Sequence, residues 1–246
     1  DILALAPQCD VSIIDDRFLN QHANIDSGGA QAPVFSTLDL LDALVPAGFL
    51  SDDDRLEYRS RLRRAGYFFV PVNVEELERF LRESTVAKGK VVETAELKAI
   101  RESVLRVRMS DWLRLPEEAP WLDGTLKAFV RVLRNLWGDG ADIEEITARS
   151  NWLLEQFDVR GWAHSLVPEI ADNVIRVGRA AHILLLLTPP TGVQKSVVDA
   201  YWDWVEDSIL VPIQEQFPDV YEWLVDFYRR HVAEVAEIQL SEGGSS

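Results

Sequence analysis

At 246 residues the chain is long enough for one large domain or two modest ones, with a real core in either case. A hydrophobic fraction of 47% and a charged fraction of 27% are ordinary for a folded soluble protein. The net charge of −16 repels a polyanion from the chain as a whole, which argues against a simple DNA-binding module.

The charge is spread unevenly. Residues 1–50 hold seven acids and one base, residues 201–246 hold ten acids and two bases, and the middle has 24 acids against 22 bases. A nucleic-acid contact would therefore need a local patch, a metal ion or a basic partner. Cys9 is the only cysteine, so no intramolecular disulfide can form, which fits a reducing compartment. The first stretch lacks a basic start followed by a long apolar run, and the longest aliphatic run, Ile183 to Leu187, is too short to cross a bilayer. The expectation is a soluble, cytoplasmic protein with no membrane contact.

In chain order, Val11-Ser12-Ile13-Ile14 is a β-branched run ending in Asp15-Asp16 and reads as a buried strand. Arg17 to Asn24 reads as helical, and Ile25 to Pro33, with Gly28-Gly29, as a loop. Val34-Phe35 is a second strand. Ser36 or Thr37 then caps a helix with Leu38, Leu40, Leu41 and Leu44 on its apolar face, closed by Gly48. The next helix carries the clearest local signals. Ser51 is its N-cap, Asp52, Asp53 and Asp54 fill its first turn, Arg61, Arg63 and Arg64 its last, and Gly66 stops it. Tyr67 to Val70 reads as a third strand ended by Pro71, and Asn73 with Glu76 as a capping box for a helix reaching about Arg82.

Beyond residue 84 the pattern turns helical. Lys88-Gly89-Lys90 reads as a linker, and Val91-Val92 is the one remaining strand candidate. Helices are predicted at roughly 94–108, 122–137, 142–157, 169–187, 194–210 and 218–239, punctuated by Gly138-Asp139-Gly140, Pro189-Pro190 and Pro218. No period of 20 to 50 residues repeats, so a helical repeat array is not supported. The expected fold class is an α/β segment over residues 1–84, a parallel sheet with flanking helices, followed by an all-helical bundle over 85–246. The chain as a whole should be mostly helical.

Acids at the carboxyl end of a parallel strand sit where open α/β sheets place their ligand crevices. Two successive carboxylates, Asp15 and Asp16, point to opposite sides of an extended strand, so one can face a crevice and bind a hard cation such as Mg²⁺ or Mn²⁺. The competing reading is a strand-end turn, where Asp is common for conformational reasons. Arg59, Arg61, Arg63 and Arg64 could form a phosphate-facing patch, but a solvated helix face balancing Asp52–Asp54 and Glu57 is the simpler reading. His22, His164, His182 and His231 lie far apart, with no second His or Cys at ligand spacing, and His164 reads as structural. Tyr201, Trp202, Trp204, Trp223, Phe227 and Tyr228 sit among Asp203, Glu206, Asp207 and Glu222, which suits core packing or a protein interface better than base stacking.

Taken in order, Ile13-Ile14-Asp15-Asp16, Asn20, Ala23, Val34-Phe35-Ser36-Thr37-Leu38, Leu40-Leu41, Gly48-Phe49-Leu50, Leu62 and Ala65 to Val70 resemble the second half of PIN-domain nucleases, nearest the toxin-related branch. The segment from Arg149 through His182 to Pro190 more faintly resembles helical tails that follow such halves in large multidomain bacterial proteins. The resemblance implies a metal-dependent endoribonuclease that hydrolyses phosphodiester bonds of RNA, of the toxin–antitoxin or defence kind. It implies Asp15, Asp16 and Thr37 as catalytic residues, with Asp15 and Asp16 holding Mg²⁺ or Mn²⁺ and Thr37 supporting the acid cluster. Ser36 stands where the family usually has glycine, and Asn20 where related sequences often carry arginine.

The family's first strand and its earlier acids belong before this segment, and only about ten residues precede Val11. A chain that opens at Asp1 without an initiator methionine is expected to be a fragment whose acid site is completed upstream. The missing half, or a partner chain such as a second copy, should then cover the strand edge near residues 11–15. The alternative is a non-catalytic module whose aromatic, acidic helices bind another protein. Whether the chain is an enzyme stays open between these two readings.

Overall fold

The computed structural model describes residues 10–27, 30–110, 113–116, 118–138, 142–156, 186–216, 218–227 and 229–230. The predicted helix at 169–187 therefore lies almost wholly outside the described residues, as do Cys9, His164, His182, Tyr228 and His231. As expected, the fold is mostly helical. It divides into two compact units, the first formed by residues 1–80 and 93–125 and the second by 81–92 and 126–246.

The first unit begins with a three-stranded sheet of β1 (Ser12–Ile13), β2 (Asn24–Ser27) and β3 (Ala30–Phe35) in the order β1-β3-β2. β1 runs parallel to β3, pairing Ser12 with Val34 and Ile13 with Phe35, while β2 runs antiparallel to β3. Where the sequence suggested a helix and a loop, residues 19–21 form one 3-10 turn, and 24–35 form a hairpin. Only Gly28 and Gly29 separate its strands, and that two-glycine spacing is a hairpin signal. One sheet face buries Ile25 and Ala32 with Ile14 and Val34 packed on them. On the other, Ile13 and Phe35 are left 49% and 43% exposed.

Helix α1 (Thr37–Leu44) follows β3 directly. Its N-cap is Ser36, in a reciprocal capping box with Asp39. Arg55 ties the start of helix α2 (Asp52–Arg64) to Asp42 of α1 at 3.0 Å. The signals read for α2 all hold: Ser51 accepts from the Asp54 amide, and the acids and bases occupy opposite end turns. Its arginines do not all face solvent, however. Leu56, Arg59, Ser60 and Arg63 form a buried stripe, and Glu76 of helix α3 (Val74–Glu83) meets Arg63 through two contacts of 2.6 and 2.9 Å. Arg59 lies 3.4 Å from the same carboxylate, and both guanidinium groups donate to the Pro71 carbonyl. The solvated face expected for Arg59 and Arg63 is thus corrected to a buried ion cluster. Glu76 spends its carboxylate there rather than in a capping box.

The segment at Tyr67 to Val70 is also not a strand. Phe69 has φ 58, a left-handed conformation that breaks any ladder, and the Val70 and Pro71 carbonyls accept from the side chains of Trp121 and Arg63. Helix α4 (Ala95–Ser110) packs against α2. Leu77, Leu97 and Ile100 are among the fully buried residues of this unit.

In the second unit, Lys88-Gly89 proves to be the turn of a hairpin between β4 (Thr85–Ala87) and β5 (Lys90–Val92), not a linker. Both turn residues have positive φ, 54 and 69, as a type I′ turn requires. Helix α6 (Ile143–Glu155) packs on this hairpin. Helix α5 (Glu118–Gly138) contributes Phe129, Leu133 and Trp137 to the core. Tyr201 and Trp204 of helix α7 (Lys195–Val205) meet Trp137 at ring-centroid distances of 5.3 and 5.8 Å. Trp204 also donates to Asn151 at 2.8 Å. A π-helical turn at Glu206–Leu210 leads into helix α8 (Val211–Gln216). The aromatic group read from the sequence therefore splits, with Tyr201 and Trp204 in the core and Trp223 stacked on Phe227 at 5.5 Å, each 39% exposed. Among the described residues no helix is long and apolar enough to cross a membrane.

Candidate active site

Asp15 follows β1 at its carboxyl end, beside the start of α1, because parallel pairing with β3 brings Phe35 alongside Ile13. The bond from the Ile14 amide to the Phe35 carbonyl, 2.8 Å, extends that pairing by one residue. The chain leaves β3 through Ser36 into α1, so the first amide of the helix faces the Asp15 carboxylate. The Thr37 amide donates to Asp15 Oδ1 at 2.7 Å, and the Thr37 hydroxyl donates to Oδ2 at 2.5 Å. A carboxylate at a helix N-terminus is favoured both by the free amide and by the helix dipole.

A third donor comes from a residue the sequence analysis placed only in a strand. The Tyr67 hydroxyl donates to Asp15 Oδ1 at 2.7 Å. Tyr67 is aimed by the end of α2, where its amide bonds to the Leu62 carbonyl at 2.9 Å and the Gly66 amide to that of Arg63 at 3.0 Å. This is a Schellman closure, and it needs Gly66 in the left-handed region at φ 89. A methyl group at Gly66 would also come within 3.3 Å of Arg106 Nη1. Gly66→Ala is therefore expected to cost about 1–2 kcal/mol in urea unfolding, and unchanged stability would show that the closure relaxes freely.

Partial burial pushes the Asp15 carboxyl up, but the bonds from the Thr37 hydroxyl, the Thr37 amide and Tyr67 outweigh it and hold it below its ordinary value. Burial and the adjacent Asp15 charge push the Tyr67 phenol up, so Tyr67 remains a neutral donor. The result is an anion fixed by three donors at a solvent-exposed sheet end.

Asp16 points elsewhere. Its Oδ1 accepts from the Phe18 and Leu19 amides at 2.9 and 3.0 Å, so it caps the 3-10 turn at 19–21. The Asn20 amide returns to the Asp16 carbonyl, and the Asn20 Oδ1 is buried with no hydrogen-bond partner among the described residues. Asp15 and Thr37 are thus in direct contact, while Asp16 shares their turn but serves its own backbone. Compared with known protein families, curated proteins and solved structures, the chain has no match.

The carboxylate oxygens at this sheet end suit a hard divalent cation in kind but fall short in number. Asp15 already accepts three hydrogen bonds, and among the described residues no group of three or more His, Cys, Asp or Glu could hold a metal ion. Asp15 could supply part of a ligand set, with the remainder coming from elsewhere, whereas Asp16 as placed here is turned to its own backbone.

Proposed function

We propose that residues 11–71 are the closing half of a PIN-type, metal-dependent endoribonuclease, and that the helices beyond them dock or regulate it. The observation that carries this reading is the fixed Asp15 carboxylate at the end of a parallel strand, held by the amide and hydroxyl of Thr37. Open α/β sheets bind ligands at that position. The spacing from Ile13 to Val70 supplies the family resemblance on which the substrate, RNA, rests.

In this reading Asp15, with Asp16 beside it, belongs to a Mg²⁺ or Mn²⁺ site whose other acids come from an upstream half or a partner chain. Such an ion would neutralise charge on the scissile phosphate and activate water. The protein's own contribution is to keep Asp15 ionised and aligned, which Thr37 and Tyr67 do. Among the described residues no strand pairs with the outer edge of β1, and the exposed pair Ile13 and Phe35 supports a cover from outside them, since parallel strands are normally buried on both faces. Thr37→Val removes the hydroxyl and keeps the amide. It is expected to lower Mn²⁺-dependent RNA cleavage by the protein carrying the upstream half by about 10–100-fold. Full cleavage by that variant would remove Thr37 from the site.

A second reading has its own support. The exposed Trp223 and Phe227 pair lies among acids, as expected of a helix that binds another protein. If the upstream residues contain no strand ending in Asp, the non-catalytic interaction module becomes the better account.

A further inference from the structure

We propose that Arg17 is a positioning residue that keeps the Asp15–Asp16 turn in register with Thr37 and Tyr67. The inference deepens the nuclease reading, because it matters for function only if Asp15 does.

Arg17 does not behave as a surface cation. Its Nε and Nη2 donate to the two carboxylate oxygens of Glu118 at 2.7 and 2.8 Å, and Glu118 is only 2% exposed. Glu118 opens α5 and also accepts from the Arg114 and Leu115 amides at 2.7 and 2.9 Å, so the carboxylate is locked by its own helix start. The guanidinium lies over the rings of Phe18 and Phe69, 5.2 and 5.7 Å from their centroids. Planar, two-pronged pairing of this kind fixes direction as well as charge.

The partner segment explains why that direction matters. Tyr67 and Phe69 are two residues apart, as are Asp15 and Arg17. Tyr67 meets Asp15, and Phe69 meets Arg17, so the two segments are joined at two points of equal spacing. Phe69 is held in a left-handed conformation, which a bulky residue adopts only when its surroundings enforce it. Those surroundings are the edge-on ring of Trp121 at 5.5 Å and the Trp121 Nε1 donation to the Val70 carbonyl at 3.1 Å. α5 therefore holds both sides of the joint, Arg17 through Glu118 and Phe69 through Trp121. Loss of the Arg17 contact removes the tie through which Glu118 of α5 holds the acid turn, and leaves the Asp15 bonds and the short strand before it to carry more of the alignment.

The test is amide hydrogen exchange, because the Thr37 amide is bonded to Asp15 and reports that alignment directly. In Arg17→Gln the Thr37 amide should exchange about tenfold faster relative to the buried α4 amide of Ile100. Phe69→Asn keeps a residue that tolerates the left-handed backbone and removes the ring, so it should move the ratio the same way even if Arg17→Gln folds poorly. Arg101→Gln is the control, since Arg101 makes the same two-pronged contact with Glu93, at 2.6 and 3.0 Å. An unchanged Thr37 ratio in both variants, or an equal change in Arg101→Gln, would overturn the proposal. Broadening of the Thr37 and Phe18 amides by added Mn²⁺ is read separately in the unaltered protein. Its absence would count against the metal reading, while the exchange ratios still decide the role of Arg17.

Discussion

Glu76→Gln is expected to lower the unfolding free energy by about 3–5 kcal/mol, because it leaves two buried guanidinium groups facing one neutral amide. Arg59, Arg63 and Glu76 are 2%, 1% and 0% exposed, so water cannot replace the lost charge. The Pro71 carbonyl, which both arginines share, carries only a dipole and cannot balance two cations. Contrast Arg61 and Glu57, an ion pair on the same helix with side chains 57% and 54% exposed. Glu57→Gln should cost no more than about 0.5 kcal/mol. Replacing Arg63 and Glu76 together by Met and Leu should recover part of the loss, since a matched apolar pair leaves one buried charge fewer. Urea unfolding of these variants checks all three expectations, and equal costs for Glu57→Gln and Glu76→Gln would contradict the ion-cluster account.

The same cluster sets a direction for acid sensitivity. Burial pushes the Glu76 carboxyl up, but the hydrogen bonds and charge of Arg63 and Arg59 hold it below its ordinary 4.5. A group lowered on folding stabilises the native state fully above its unfolded value, and loses that contribution as pH falls through the folded one. Asp15 has the same sign, so stability should begin to fall near pH 4.5 and keep falling below it.

Helix α2 shows what the sequence makes legible and what it conceals. Its cap, end charges and terminal glycine are local signals, and each is found in place. The burial of Arg59 and Arg63 is not local, since it depends on Glu76, 17 and 13 positions away. Even so, the spacing of Leu56, Arg59, Ser60 and Arg63 marks one helix face, and an aliphatic residue on a face with two arginines was a usable hint. The two hairpins were concealed differently. Gly28-Gly29 and Lys88-Gly89 invite a loop or linker reading, although two such residues between short strands are also turn chemistry. Tyr67 to Val70 has strand composition, yet it is held by the contacts of Trp121 with Phe69 and Val70 and of Arg17 with Phe69. Composition alone does not carry those contacts.

The site was legible in part for the same reason. Asp15 and Thr37 stand out in the pattern of order and spacing, whereas Tyr67 enters that pattern only as the start of a strand, and its reach to Asp15 across 52 positions has no local mark. Asp16, adjacent in sequence, is turned away by the ordinary capping preference of an aspartate after a strand.

Asp15→Asn should have the largest functional effect. An asparagine retains one acceptor oxygen where the carboxylate satisfies the Thr37 amide, the Thr37 hydroxyl and Tyr67 with two, and it removes the negative charge a cation needs. The fold should survive, because Asp15 is exposed and the β1–β3 pairing is made by backbone. The loss in cleavage should exceed the roughly 10–100-fold expected of Thr37→Val, which disturbs only a supporting bond. The deciding measurement is Mn²⁺-dependent RNA cleavage by the chain joined to the upstream half proposed above, compared with its Asp15→Asn variant. The account predicts cleavage by the first and none above background by the second, while cleavage that persists unchanged in Asp15→Asn would contradict it.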